Sequence, residues 1–459
     1  MARKVRRIAL LIAIFMVIAV WLPLEVLAAG PKNVVYLIGD GMSATQRRAP
    51  EEVLGRKLVM NTFPAVGLYT TYCLDTLVTD SAAAGTALAT GHKTNSGVIS
   101  VDPTGKVAYE TLAEAAKRLG KSVGLVTTTS ITDATPAVFG AHIIDRAQQN
   151  EIAEQYLEQG FAVYMGGGLR HFIPQSEKGS KRKDDRDLTH EFADAGYSVV
   201  KNKGELGSLE ITKNTKVLGL FSQSNMPHHV DRSPDHPTLS EMTAAAIKVL
   251  KQNPKGFFLM VEGGRVDHGC HANDPVAAIF DTEELDRAVT VAVDFQKEDP
   301  DTFIFVGGDH ETGGMGLGIG LDYFVKPEVV RNGRKTYEWV AGTFSKKGGD
   351  PVAVLSEATG IDDFTPEEVK AINMAAENVK VKKKSANAYN PNWLAFVYAD
   401  IMSRRSHIGW TSWAHTASPV VVTCAGPGSE NFVGYYDNTD PARKLAALWG
   451  IELKTWNVQ

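Results

Sequence analysis

The sequence of 459 residues predicts an α/β fold, a three-layer α/β/α sandwich around a central, mostly parallel sheet. Two features of the sequence support this prediction. Its short apolar runs are apolar throughout and do not alternate with polar residues, which is typical of strands covered on both faces. Helical patterns separate many of these runs, as in a parallel sheet with helices on both sides. We expect insertions in this core to form a small cap or crown region.

Seven apolar runs are predicted to be strands: Val34–Ile38, Val123–Thr127, Ala162–Met165, Val217–Phe221, Phe257–Val261, Phe303–Val306 and Val420–Thr423. Four other segments are predicted to be helices: Glu110–Leu119, Ser240–Leu250, Pro275–Phe295 and Pro441–Leu448. A further helix is predicted to begin after Thr365, because Pro366 suits the first helical position and Glu368 completes a capping box.

Two polar stretches interrupt the alternation of strands and helices. Residues 170–235 are rich in Lys, Asp, His and Pro, and residues 316–408 are mixed and charged. We interpret both as insertions in a single catalytic domain that spans residues 29–459. Three histidines of the first stretch are predicted to be surface residues rather than a further metal site: His228, His229 and His236.

The N-terminus has the architecture of a secretory signal. Four basic residues precede an almost wholly apolar run from Ile8 to Leu22, and Val26-Leu27-Ala28 resembles a small-residue cleavage site. The alternative is an uncleaved membrane anchor, but the run is shorter than the roughly 20 residues that a spanning helix prefers. We therefore interpret residues 1–28 as a signal peptide. The protein is expected to be secreted or periplasmic, with a membrane contact only through this segment if it is retained.

The composition is that of a globular protein, with 44% hydrophobic and 22% charged residues. The net charge of −5 gives no basic excess, so nucleic acid is not expected as a partner. There are three cysteines, and therefore at least one is unpaired. Cys270 is expected to be a free buried thiol.

Residues of metal-ligand type follow three of the predicted strands. Asp40 comes after Val34–Ile38, Glu262 after Phe257–Val261, and the pair Asp309-His310 after Phe303–Val306. Ligands of open α/β sheets bind beyond the carboxyl ends of the strands. One such placement would mean little, since an acid in a Gly-rich turn is often only solvated, but three can converge on one site.

Ser81 stands before the run Ala82-Ala83-Ala84, at or near the predicted start of a helix. Backbone N–H groups and the helix dipole favour anions at that position. A serine before such a run can also be a simple helix cap. The small neighbouring side chains leave room for a phosphate to reach the hydroxyl.

Asp133 and Thr135 offer two oxygen ligands two residues apart, and Arg146 downstream offers a planar fork of donors to a phosphate. An equally good alternative is a helix-capping Asp133 with Arg146 on the helix surface. The densest motif is Glu262–His271, in which a carboxylate, Asp267, His268 and His271 occur within ten positions of Gly-rich sequence. This density predicts a metal-binding loop. A lone histidine such as His415 is usually structural or exposed, so it is a candidate ligand only in combination with these motifs.

Together these six motifs resemble the alkaline phosphatase family, in the right order over most of residues 31–440. The resemblance implies two Zn²⁺ ions and one Mg²⁺ ion. The first zinc would be held by Asp267, His271 and His415. The second would be held by Asp40, Asp309 and His310, joined by ionised Ser81. The magnesium would be held by Asp40, Thr135 and Glu262.

The resemblance also implies the activity. Small phosphate monoesters would be hydrolysed through a phosphoserine on Ser81, with Arg146 binding the phosphate. Asp133 and His268 would orient waters, the magnesium site and the phosphate. Family members are commonly homodimers, so a homodimer is expected. The enteric bacterial branch has Lys where His268 stands, which leaves the identity of the third metal open.

Other functions remain as alternatives. A phosphodiesterase, a sulfatase or a phosphonate hydrolase would belong to the same superfamily, but phosphodiesterases usually present Thr as nucleophile and lack the arginine. A non-catalytic zinc- or phosphate-binding exported protein would be expected to lack a ligand or the nucleophile. Ser81 with Arg146 favours a phosphomonoesterase.

Overall fold

The central element of the structure, a computed structural model that describes residues 30–458, is a ten-stranded sheet. In chain order the strands are β1 (Asn33–Gly39), β2 (Ala65–Thr70), β3 (Val107–Tyr109), β4 (Ser122–Ser130), β5 (Val163–Gly167), β6 (Tyr197–Val200), β7 (Lys216–Leu220), β8 (Phe257–Gly263), β9 (Thr302–Gly308), β10 (Glu311–Thr312), β11 (Gly316–Leu317), β12 (Ile408–Gly409), β13 (His415–Thr416), β14 (Val420–Ala425), β15 (Gly434–Asp437) and β16 (Thr455–Asn457).

The helices lie on both faces of this sheet and in the region beyond it. In chain order they are α1 (Ala44–Leu54), α2 (Ser81–Thr90), α3 (Leu112–Arg118), α4 (Ala134–Gly140), α5 (Gln149–Gln159), α6 (Leu188–Asp194), α7 (Lys203–Gly207), α8 (Leu239–Leu250), α9 (Arg265–His271), α10 (Pro275–Glu298), α11 (Pro327–Arg331), α12 (Tyr337–Lys347), α13 (Pro351–Thr359), α14 (Pro366–Lys380), α15 (Trp393–Ser406) and α16 (Asp440–Leu448).

The sheet order is β15-β2-β14-β9-β1-β8-β4-β5-β7-β6. β14 is antiparallel to both β9 and β2, and the other neighbouring pairs are parallel. This arrangement confirms the predicted α/β fold with a mostly parallel sheet. It also places β1 at the centre, between β8 and β9, so that the carboxyl ends of these three strands lie side by side.

Strand β1 shows why the apolar runs do not alternate. Val34, Tyr36 and Ile38 pack into the core on one face of the sheet, which includes residues of α2 and α3. Val35 and Leu37 pack into the core on the other face, which includes residues of α8 and α10. Because both faces are covered, every side chain of β1 is buried.

The two polar stretches differ in their relation to the sheet. Residues 170–235 contain β6 and β7, which form one end of the sheet. Residues 316–408 contain α11 to α15, which build a third apolar core of their own against α10. The division of residues 29–459 into one domain with two insertions stays a prediction.

The predicted signal peptide, residues 1–28, lies outside the described residues. Within residues 30–458, no helix is long and apolar enough to cross a membrane. The predicted helices are present with shifted ends; α10, for example, extends the predicted Pro275–Phe295 by one turn. Its start follows the local sequence, since the Asp274 side chain accepts hydrogen bonds from the N–H groups of Val276 and Ala277.

Candidate active site and metal centre

Acidic residues converge where β1, β8 and β9 end. Asp40 directly follows β1, Asp309 directly follows β9, and Glu262 lies at the end of β8. All three are buried. The parallel register of the three strands therefore brings together the carboxylates that the sequence places at separate strand ends.

His310 lies at the centre of one group of candidate ligands. Its Nε2 is 3.4 Å from Asp40 Oδ1 and 3.3 Å from Asp309 Oδ2. The same nitrogen is 3.2 Å from Ser81 Oγ. One ligand atom from each of Asp40, Asp309 and His310 lies within 4.8 Å of the others, a spacing that fits a metal ion.

Helix α9 carries two members of a second group. The sequence predicted a metal-binding loop at Glu262–His271, and this prediction is wrong for its second half, because Arg265–His271 forms α9. The helix places Asp267 and His271 four residues apart on one face. His271 Nε2 is 3.2 Å from Asp267 Oδ2, and His415 Nε2 is 3.6 Å from Asp267 Oδ1.

The hydrogen bonds of His271 and His415 fit a metal ion between them. His271 Nδ1 lies 2.5 Å from the carbonyl oxygen of Trp413, and His415 Nδ1 lies 2.7 Å from that of Thr79. A carbonyl only accepts, so both rings carry their proton on Nδ1. When both rings are neutral, their Nε2 lone pairs face each other at 3.1 Å, and a cation would satisfy both.

Two carboxylate oxygens of the first group have no hydrogen-bond partner within residues 30–458: Asp40 Oδ1 and Asp309 Oδ2. Burial, together with the negative charge of Asp267, raises the pKa of Asp309 to about 7. Burial also raises the pKa of Asp40 well above its usual range, and Asp309 adds to the effect. Buried oxygens of this kind are costly without a cation, so the residues present fit a metal centre.

A third group contains Asp40, Thr135 and Glu262, the residues expected to hold magnesium. Glu262 Oε2 accepts hydrogen bonds from the hydroxyls of Thr127 and Thr129 on the neighbouring β4. Thr135 is buried in the first turn of α4. Burial raises the pKa of Glu262 to about 8, to which the nearby charge of Asp133 contributes. Oxygen ligands of this type suit a hard cation.

Ser81 is the first residue of α2, where the sequence predicted a helix start. The helix cap is its neighbour Asp80, whose side chain accepts a hydrogen bond from Ala83 N. The hydroxyl of Ser81 is therefore not needed for capping. It points to His310 and the first group of ligands instead.

Arg146 is held by two carboxylates beside Ser81. Its Nη1 is 2.9 Å from Asp80 Oδ2 and its Nη2 is 3.0 Å from Asp133 Oδ1. Asp133 also caps α4 by accepting a hydrogen bond from Ala134 N, as the helix-cap interpretation predicted. The two ion pairs fix the guanidinium plane before any ligand arrives.

His268 points its Nδ1 towards Arg265. Arg265 Nη1 lies 2.9 Å from that nitrogen, and an arginine can only donate. Burial and the adjacent Arg265 lower the pKa of His268 to about 4. His268 is therefore a neutral ring with its proton on Nε2. Arg265 is itself anchored to Glu338 of α12 by an ion pair of 2.6 Å.

Several residues around the site were not predicted from the sequence. Thr312 Oγ1 donates to Asp267 Oδ1 at 2.6 Å, and the Tyr389 ring stacks on His271 with a centroid separation of 3.7 Å. The cap Asp80 also belongs here. A helix-start pattern marks Asp80 as a cap, but no local signal marks its contact with Arg146.

The predicted surface position of His228 is wrong. This side chain is fully buried, and its Nδ1 lies 2.5 Å from Asp281 Oδ2 on α10. The structure thus pairs the histidine with an acid 53 residues away. Cys270 agrees with its prediction, since all three cysteines are free and buried.

We expect Glu262→Gln to change the pH dependence of stability of the metal-free protein. A carboxyl whose pKa is higher in the folded chain stabilises the fold below its unfolded pKa, and this contribution is lost as the pH rises through the folded pKa. For Glu262 the interval runs from 4.5 to about 8. The melting temperature of the chelated variant, relative to chelated wild type, should therefore rise between pH 5 and pH 8.5. The exposed Glu328→Gln serves as control, and a pH-independent difference for Glu262→Gln would contradict the expectation.

Comparison with known proteins agrees with this geometry. Residues 31–451 match the family model for alkaline phosphatase. Alkaline phosphatase 4 of Bacillus subtilis is 38% identical over 427 residues, which span 90% of this chain and 87% of that protein. The alkaline phosphatase of Escherichia coli K12 is 33% identical over 331 residues, 61% of this chain and 70% of that protein.

Solved structures show the same likeness. The crystal structure of Thermus thermophilus alkaline phosphatase has a TM-score of 0.81 and 31% identity, covering 93% of each chain. A cold-active alkaline phosphatase from Shewanella sp. has a TM-score of 0.80 and 29% identity, covering 91% of this chain and 99% of that one. The fold and the clustered ligands are those of a metal-dependent hydrolase. More specifically, the chain belongs to the alkaline phosphatase family, a family of enzymes that act on phosphate monoesters.

Proposed function

We propose that this enzyme hydrolyses phosphate monoesters to alcohol and inorganic phosphate through a phosphoserine formed on Ser81. One observation carries the proposal. The Ser81 hydroxyl does not cap α2, because Asp80 does, and it lies 3.2 Å from His310 Nε2 in the metal-ligand cluster. Arg146 is held by Asp80, the residue that directly precedes Ser81.

The ligand groups support two zinc ions and one magnesium ion. Asp267, His271 and His415 would hold the first zinc, and Asp40, Asp309 and His310 the second. Asp40, Thr135 and Glu262 would hold the magnesium. When bound, such ions stabilise developing negative charge and lower the pKa of the hydroxyl or water that they contact. The neutral His268 beside this third group leaves another hard cation as an alternative to magnesium.

The protein's own groups position the first chemical step. Arg146 binds two oxygens of the phosphoryl group through its planar fork, and the N–H groups of the first turn of α2 favour the same anion. The Ser81 hydroxyl gives up its proton to solvent, and its Oγ then attacks phosphorus in line with the leaving oxygen. The Ser81 O–P bond forms, the bond from phosphorus to the alcohol oxygen breaks, and the alcohol departs after taking up a proton.

The second step returns the enzyme to its starting state. A water attacks phosphorus, the bond to Ser81 Oγ breaks, the serine oxygen regains a proton, and orthophosphate leaves. Arg146 holds the phosphoryl oxygens in both steps. Asp133 keeps Arg146 in place, and His268 offers its Nε2–H as a neutral donor near the site.

The test is hydrolysis of p-nitrophenyl phosphate as a function of pH, before and after chelation. We expect activity that rises towards alkaline pH, is abolished by chelation and returns with Zn²⁺ plus Mg²⁺. Adding Zn²⁺ alone, then Mg²⁺ or Mn²⁺, identifies the third cation. A fully metallated protein without phosphomonoesterase activity would overturn the proposal.

We also propose that the enzyme is exported through residues 1–28 and acts as a homodimer. The signal-like pattern of the N-terminus supports export, and membership of the family supports the dimer. Sequencing the N-terminus of the mature protein and measuring its mass in solution test the two points separately.

A further inference from the structure

A cavity of about 470 Å³ lies next to the chain segment that follows Arg146. One wall is formed by residues 147, 148, 150, 151 and 154, in the segment that directly follows Arg146, and the other by residues 170, 171 and 181–184. Ala147 lines the cavity and directly follows Arg146, and because consecutive Cα atoms are only ~3.8 Å apart, the backbone of Arg146 borders the cavity. Its volume lies within the roughly 300–1,000 Å³ of small-ligand sites.

The cavity carries more unpaired positive than negative charge. Within residues 30–458, neither Arg170, Lys181 nor Lys183 forms an ion pair, although all three line the cavity. Arg182 is different, since it is buried and paired with Glu154 and Asp184. These pairs neutralise two of the three carboxylates in the lining and leave only Glu151 opposite three free cations.

Arg170 is oriented by its neighbours although no acid binds it. Its Nε donates to His171 Nε2 at 3.1 Å, and His171 Nδ1 in turn donates to Asn150 Oδ1 at 2.8 Å. Burial and the charge of Arg170 lower the pKa of His171 to about 4, which keeps Nε2 an acceptor. Both Nη groups of Arg170 lack a hydrogen-bond partner among the described residues, and Arg170 lines the cavity.

The position of this arginine follows from the sheet. Arg170 comes three residues after β5, the neighbour of β4, and the end of β4 leads to Asp133. Gln149 lies between the lining residues Gln148 and Asn150, and its side chain accepts a hydrogen bond from Thr132 Oγ1 at 2.9 Å, which holds this segment near the same strand end. Arg170 and Arg146 thus lie on the same edge of the sheet.

We propose that this cavity is a second anion subsite, in which Arg170, assisted by Lys181 and Lys183, binds the distal phosphate of a bisphosphorylated substrate. The inference deepens the proposed function and rests on it. The phosphoryl group to be transferred would occupy the Arg146 side, and the second phosphate, attached to the same molecule, would occupy the cavity. The enzyme would then prefer sugar bisphosphates to the corresponding monophosphates.

Arg170→Gln tests the subsite by substrate comparison. We expect kcat/KM for fructose 1,6-bisphosphate to fall about tenfold, because a charge-assisted contact is lost. The values for fructose 6-phosphate and p-nitrophenyl phosphate should stay within about twofold of wild type. Arg287→Gln, at a half-exposed arginine of α10 paired with Glu283, is the matched control for lost charge. Equal loss for all three substrates, or no loss for any, would overturn the proposal.

A binding measurement separates this inference from the proposed catalysis. In metal-loaded Ser81→Ala protein, calorimetry should show fructose 1,6-bisphosphate binding about tenfold more tightly than fructose 6-phosphate, and adding Arg170→Gln should abolish that preference. Turnover of p-nitrophenyl phosphate by wild type without this binding preference would reject the subsite alone. The preference without turnover by wild type would reject the catalytic proposal alone.

Discussion

Replacing Ser81 with alanine is expected to lower kcat at least about 10³-fold while the metals stay bound. The hydroxyl is the group that we propose attacks phosphorus, and it lies 3.2 Å from His310 Nε2. The fold should be unaffected, because Asp80 caps α2 and alanine favours a helix. The change therefore removes the nucleophile and little else.

The measurement is kcat with p-nitrophenyl phosphate, together with the zinc and magnesium content of the purified variant. Ser208→Ala, at an exposed serine next to α7, is the matched control and should keep full activity. Full activity in Ser81→Ala would remove Ser81 from the nucleophile role. Loss of zinc together with activity would instead show that the hydroxyl is needed to hold the metal.

The predicted strands are found because their apolar runs reflect burial on both faces, a property that is local in the sequence. β2 was not predicted because it is buried on one face only. Val66 and Leu68 are exposed, and Gly67 interrupts the strand pattern. Glycine is needed there because a Cβ atom would lie 2.3 Å from the carbonyl oxygen of Phe432. That contact joins segments more than 360 residues apart, and no local pattern reveals it.

In the site, too, the features that are local in the sequence were predicted, and the contacts between distant residues were not. Residues of metal-ligand type at three strand ends could be found from the sequence because the carboxyl ends of parallel strands share one edge. The contacts that orient them could not, because Thr312 reaches Asp267 and Asp80 reaches Arg146 only after folding. The residues that the resemblance assigns to ligand roles do lie together in the structure, but their roles await the tests above.

Two wrong predictions came from treating polar sequence as loop or surface. Gly263 and Gly264 suggested a loop, but a helix, α9, begins directly after them. Its helical periodicity brings Asp267 and His271 to one face. His228, in a Pro-rich segment, is buried because Asp281 compensates its polar ring. Polarity alone does not distinguish a solvated residue from one whose partner is distant in the chain.

Asp309→Asn is expected to weaken zinc binding and activity by more than about 100-fold each. Asp309 Oδ1 accepts from the N–H groups of Gly41 and His310, and the oxygen of asparagine can keep both bonds. Oδ2, which has no hydrogen-bond partner among residues 30–458 and lies 3.3 Å from His310 Nε2, becomes an amide nitrogen that cannot bind a metal. The shape of the side chain is kept while its charge and its ligand atom are lost.

The same substitution should have opposite effects on stability with and without metal. At pH 8 the metal-free wild type buries a carboxylate whose pKa is raised to about 7 by burial and by Asp267, so the neutral amide should raise the melting temperature. In the metal-loaded protein the order should reverse, because binding of the ion to the folded chain stabilises wild type more. Asp194→Asn, at an exposed acid, is the control and should change neither value by much. A lower melting temperature for chelated Asp309→Asn would mean that protein groups, rather than a cation, compensate the charge of Asp309.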